Sequence, residues 1–146
     1  MYVQPKALAS YGKIANTETD PIRQVVMLFD GAIKFLNLTA ADIEALDFAA
    51  KAEHSTRALE IIGYLQSILD FETGREVAVS LDRLYRSVTS MILRASGKPD
   101  ADLMRQVVKL LVPVRDAWET NANLSNPVAS LTKSAADEYS GIGLNG

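Results

Sequence analysis

Residues 21–46, PIRQVVMLFDGAIKFLNLTAADIEAL, carry more apolar surface than a helix with one buried face can use, and this excess constrains the rest of the chain. At about 100° per residue, Ile22, Val25, Val26, Phe29, Ile33, Leu36, Ala40 and Ile43 fall on one broad face, with Leu28, Phe35 and Leu46 widening its edge. A stripe of that width is a core face. Met27, Gly31, Leu38, Ala41 and Ala45 lie away from it, at positions where a solvated helix carries Lys, Glu or Gln. Two explanations stand side by side. The helix is covered on both sides by its own chain, or its second face is a groove for a partner.

The remaining periodicity is helical throughout, with no period-2 alternation and no internal repeat. Asp20-Pro21 starts the first long helix, a carboxylate cap followed by proline at a position whose amide is not needed. Asp47 caps a second helix over 48–69, with Ala58, Leu59, Ile61, Ile62, Leu65, Ile68 and Leu69 as its apolar positions. Thr73 and Glu76 match a capping box ahead of Val77, Leu81, Leu84, Tyr85, Val88, Met91 and Ile92, a third helix that ends near Gly97. Asp100 caps a fourth, lined by Leu103, Met104, Val107, Leu111, Val114 and Trp118. Pro113 sits inside it, opposite Leu111 and Trp118, where water can satisfy the freed carbonyl of a single bent helix. Four amphipathic helices with short connections predict an all-α, antiparallel up-down four-helix bundle over 20–120. Residues 1–19 read as a short helical segment carrying Leu8, Tyr11 and Ile14 at near-helical spacing, which docks on the body or frays. Residues 121–146, rich in Asn, Ser and Gly, read as a flexible tail with at most one short helix around 128–139.

Composition narrows the function. With 146 residues, the chain fits one domain, and no apolar run is long enough for membrane insertion. A net charge of -3 with interspersed signs offers no basic stripe for nucleic acid. There is no cysteine, and the N-terminus lacks the order of a secretion signal, so a cytoplasmic setting is expected. His54 is the only histidine, which leaves no ligand set for a di-iron or zinc site and no metal or cofactor to expect. A lone histidine near Arg57 and Ala58 does imitate a phosphotransfer bundle, the enzyme-like alternative. His54 nevertheless shares an arc with Ala58, Ile61 and Leu65, where a half-buried, satisfied imidazole is the ordinary outcome. No phosphate loop and no nucleophile elbow appear, so the chain reads as a binding protein with no catalytic residues. A third reading is a structural bundle that only self-associates.

Specific motifs sharpen this. MLFDGAIKFL (27–36), LQSILDFETGREVAVSLDRLY (65–85) and VRDAW (114–118), with Tyr2 near the start, resemble the FliS family of flagellar export chaperones, in the family's order and at about its spacing. Where that family usually shows Gly-Gly-Glu this chain has Gly74-Arg75-Glu76, and where it often shows Leu-Tyr-Asp-Tyr it has Leu84-Tyr85-Arg86-Ser87. The resemblance implies a cytoplasmic bundle that binds the disordered C-terminal segment of flagellin, prevents its premature polymerisation and helps deliver it to the flagellar type III export gate. It also implies that the client wraps in helical pieces over apolar grooves, and that the N-terminal segment covers part of that surface when no client is present. Whether an anti-sigma factor or a second copy of the chain also binds stays open. On angular position, the expected client-binding residues are Met27, Leu28, Gly31, Phe35, Leu38 and Ala41 on the first helix, with Val79 and Leu93 on the third. Tyr2, Leu8, Tyr11 and Ile14 are the expected cap.

Overall fold

A computed structural model describes residues 20–122, which form four helices: α1 (Pro21–Glu44), α2 (Phe48–Ser67), α3 (Phe71–Gly97) and α4 (Ala101–Ala122). The expected cap residues Tyr2, Leu8, Tyr11 and Ile14, and the sequence from 123 onward, lie outside the described residues. Each helix begins on an aspartate that accepts hydrogen bonds from first-turn amides left without helical partners. Asp20 accepts from Ile22 N at 2.9 Å, Asp47 from Ala50 N at 3.1 Å, Asp70 from Glu72 N and Thr73 N at 3.0 and 3.2 Å, and Asp100 from Leu103 N at 3.0 Å. Connections as short as 45–47, 68–70 and 98–100 force consecutive helices to run antiparallel, as expected for an up-down bundle.

The helices close into a ring. α1 packs against α2 and α4, and α3 packs against the same two, so α1 and α3 stand at opposite corners. They still meet through the centre, where the rings of Phe29 and Tyr85 lie 6.4 Å apart at 44°. Around that contact the core takes Leu36 from α1, Ile61, Ile62 and Leu65 from α2, Val88 and Ile92 from α3, and Met104, Leu111 and Trp118 from α4. Burial in this setting pushes the Tyr85 phenol well above its ordinary pKa. α4 runs unbroken through Pro113, whose ring is exposed while Leu111 and Val114 beside it are buried. Its last turn extends through Ala122. Asn121 is buried there with its amide donating to Ala117 O, so the helix takes two residues whose composition had resembled the tail.

Four details depart from the sequence reading. α1 ends at Glu44 and not at Leu46, because Leu46 N donates to Ile43 O and Asp47 N to Asp42 O, the paired bonds of a Schellman cap. Leu46 therefore holds the left-handed position, with φ 59°, and is 72% exposed where it had been expected to widen the core. α2 stops at Ser67, which leaves Ile68 exposed and only Leu69 packed on the core. α3 is capped by Asp70 rather than Thr73. Its first turn is separated from the rest by Arg75, at φ 47° and ψ −118°, a region natural to glycine and strained for any residue with a Cβ. Finally, Leu28 is buried and belongs to the core, because α2 covers the flank of α1 as well as its inner face.

Candidate client-binding surfaces

The quoted motifs meet one another as joints of the ring. Arg115, from VRDAW, donates to Asp30 Oδ1 of MLFDGAIKFL at 2.7 Å and also bonds Asp116 and Glu119. Three carboxylates around one guanidinium raise its already high pKa further, with Asp30 the largest contributor. Farther along the same seam, Arg105 grips Glu44 in a bidentate pair at 2.9 and 2.8 Å, which holds the Glu44 carboxyl below its usual range. Gly31 admits the neighbouring helix: a Cβ there would lie 3.2 Å from Ile61 Cδ1, tighter than ordinary packing. Between α2 and α3 the long middle motif ties itself together, Gln66 Nε2 donating to Asp82 Oδ1 at 2.7 Å. That bond, with a smaller contribution from Arg86, keeps the Asp82 carboxyl below its usual range.

His54 is another joint. Its Nδ1 lies 2.6 Å from Asp42 Oδ2, and its ring stacks on Phe35 with centroids 6.0 Å apart at 28°. The imidazole thus spends one nitrogen and one face in binding α2 to α1. Among the described residues no three His, Cys, Asp or Glu side chains cluster as metal ligands, and no helix is long and apolar enough to cross a membrane.

Removing these joints from the expected client-binding set leaves two surfaces. Leu28 is core, Gly31 is occupied by Ile61, and Phe35 is half-buried under His54. On α1, Met27 and Leu38 remain half-buried and Ala41 exposed, all on the outer side of the helix. On α3, Val79 and Leu93 are 47% and 55% exposed. Since α1 and α3 occupy opposite corners, the two sets face away from each other and do not share a groove.

Sequence reasoning missed Phe48 and Phe71, both exposed. A signal was present in each case, an Asp-Phe pair at a helix start, where the cap fixes the backbone and the first helical side chain has no preceding turn to pack on. Leu110, exposed on α4, had been left off its core face and assigned no role.

A family model described as "Flagellar protein FliS" matches residues 4–125. The chain is 30% identical to the "Flagellar secretion chaperone FliS" of Vibrio cholerae over 117 residues, covering 77% of this chain and 86% of that one. It is 35% identical to the protein of that name from Salmonella typhimurium over 106 residues (72% and 78%), and 29% identical to that of Bacillus subtilis over 119 residues (82% and 87%). With a ring of four antiparallel helices jointed through the residues of the matching motifs, the chain belongs to the FliS family, chaperones of flagellar export and not enzymes.

Proposed function

We propose that this chain binds the C-terminal segment of flagellin in the cytoplasm, keeps it from polymerising and helps deliver it to the flagellar export gate. The observation that carries the reading is the pair of outward apolar surfaces on opposite corners, Met27, Leu38 and Ala41 on α1 against Val79 and Leu93 on α3. No compact ligand reaches both. A long segment that wraps around the ring does, laying one amphipathic piece on each surface.

The energetics favour the same solution. Burying apolar area contributes about 25 cal/mol per Å², so a single piece anchored on two or three side chains yields only a few kcal/mol. Ordering a disordered client costs roughly 2 to 5 kcal/mol or more. One surface alone therefore binds weakly, and two joined by a continuous client bind tightly because the second contact is intramolecular. The amphipathic face that the client buries here is the one it needs for assembly with its own kind, so occupancy blocks polymerisation without nucleotide or covalent chemistry. Release needs only a competitor for either surface.

The test is titration of the purified chain with a flagellin C-terminal peptide, followed by calorimetry and far-ultraviolet circular dichroism. Saturable binding with a gain of helix in the peptide, together with delayed flagellin polymerisation, is expected. A peptide that neither binds nor gains helix would overturn the reading. His54→Ala is expected to leave peptide binding unchanged, since its contacts are internal.

A further inference from the structure

We infer that the outer face of the α3–α4 pair is a docking surface for an acidic amphipathic helix of a second protein. At about 100° per residue, the bonds already described orient both helices. On α4, Arg105 and Arg115 reach Glu44 and Asp30 and mark the side toward α1; Leu103 and Leu110 lie on the opposite flank, beside α3. On α3, Asp82 and Ser96 mark the side toward α2, and Met91, Arg83, Arg94 and Lys98 lie on the other flank, from the seam with α4 outward. α3 is held less closely to α4 than α1 is. Met91 and Leu103 are accordingly only half-buried at that seam, and Leu110 beside them is 44% exposed.

Charge and shape select the occupant. Residues 83–98 contain no acidic residue, and the exposed side chains of Arg83, Arg94 and Lys98 have no ion-pair partner among the described residues. On α4, Asp116 and Glu119 bond Arg115, and Asp102 lies farther round toward solvent. A basic row along α3 thus runs beside an apolar row on α4, in a chain whose net charge is -3. Leu103 and Leu110 stand two turns apart, and the basic row spans about 22 Å, the length of a four-turn helix laid along the seam. Such a helix sets its apolar stripe on Met91, Leu103 and Leu110 and its carboxylates against the cations. The described residues form no strand, so no sheet edge is offered for strand addition. A second copy of this chain fits poorly, because a two-fold pairing of the face would bring its own cations together.

The probe is a fluorescent designed peptide of about 16 residues, with leucine at every third or fourth position and glutamate along one edge, titrated against the full-length chain. Saturable binding is expected, about tenfold weaker for Arg83→Glu with Arg94→Glu, and about fivefold weaker for Leu110→Gln. All three positions are exposed, so thermal melts of both variants should match the parent. A sister peptide carrying lysine for glutamate should prefer the charge-reversed variant. These arms read the face whether or not flagellin binds, and saturating flagellin C-terminal peptide should leave probe binding unchanged. No saturable binding, equal affinity for the two peptides, or an acidic peptide bound as tightly after charge reversal would each overturn the assignment. Indifference to Leu110→Gln would reduce the face to a bare anion contact and overturn it as well. Displacement by the flagellin peptide would make the client the occupant, and a dimer of the parent chain that Leu110→Gln dissolves would make it a second copy; either contradicts the inference.

Discussion

The seam between α1 and α4 and the seam between α2 and α3 are made of opposite materials. The first is clamped by charge: Arg115 holds Asp30 and Arg105 holds Glu44, one from each helix in both pairs. The second is tied by neutral or singly charged hydrogen bonds, Gln66 to Asp82, Ser55 to Ser96 and the Lys51 ammonium to Ser96 O at 2.7 Å, and it leaves Phe48 and Leu93 uncovered. A charged clamp spends its polar groups on the seam itself. A seam tied from below keeps apolar surface free. The family's recognisable motifs lie mostly in joints of this kind, which explains how resemblance identifies the chaperone while saying little about where the client sits.

The sharpest break in this comparison comes from placing one carboxylate on each side of the core boundary. Leu36 is fully buried, and Leu36→Asp should cost about 4 kcal/mol or more, enough to abolish a folded baseline in urea titrations followed by circular dichroism. Leu93→Asp should shift the same titration by no more than about 0.5 kcal/mol, because water already reaches the site. Next in size is Arg115→Ala, which removes a guanidinium shared by three carboxylates whose side chains are 42–60% exposed; a loss of about 1 to 2 kcal/mol is expected after allowance for solvent screening. Arg86→Ala, which removes an exposed pair within one helix, should cost no more than about 0.5 kcal/mol. Similar losses from both arginines would erase the distinction between clamp and tie.

Two backbone positions test strain in the turns that join the seams. Arg75→Gly and Leu46→Gly relieve positive φ values of 47° and 59°, and each should raise stability by about 1 kcal/mol in thermal melts. The smallest effect concerns acid. Asp82, Asp70 and Glu44 titrate below their ordinary values in the folded chain, held down chiefly by Gln66, Thr73 and Arg105. The unfolded chain therefore binds protons first as pH falls. Their stabilisation is complete above pH of about 5.5 and is lost progressively below about 5. Asp82→Asn and Asp70→Asn should each flatten that decline in melting temperature between pH 5 and 3, by an amount that calorimetry resolves.

Much of the bundle was legible because helical spacing and aspartate caps are local signals. Asp20, Asp47 and Asp100 announce their helices, and Phe29, Leu36, Val88 and Leu111 follow from periodicity alone. The errors have physical causes. Leu46 and Arg75 occupy positions where glycine is the usual residue, so neither residue's own type marked the turn or the kink. Asp70 was hidden because Thr73 and Glu76 offered a second, equally regular start one turn later. Leu28 was placed at the edge of a face, but a helix flanked by both α2 and α4 buries a wider arc than one face. The candidate site was less legible still. Angular position finds residues that leave the core, and it does not say that α1 and α3 would turn to opposite corners.

That separation is the central claim, and calorimetric titration of a flagellin C-terminal peptide into the parent chain, Leu38→Asp, Leu93→Asp and the double variant tests it most directly. Each single variant is expected to melt within a few degrees of the parent and to weaken binding by about 1 to 3 kcal/mol, the cost of an unpaired carboxylate at an apolar contact. The double variant should lose the sum, since sites more than about 10 Å apart act independently. Binding undisturbed by either substitution, or disturbed by only one of them, would contradict a client that wraps both surfaces.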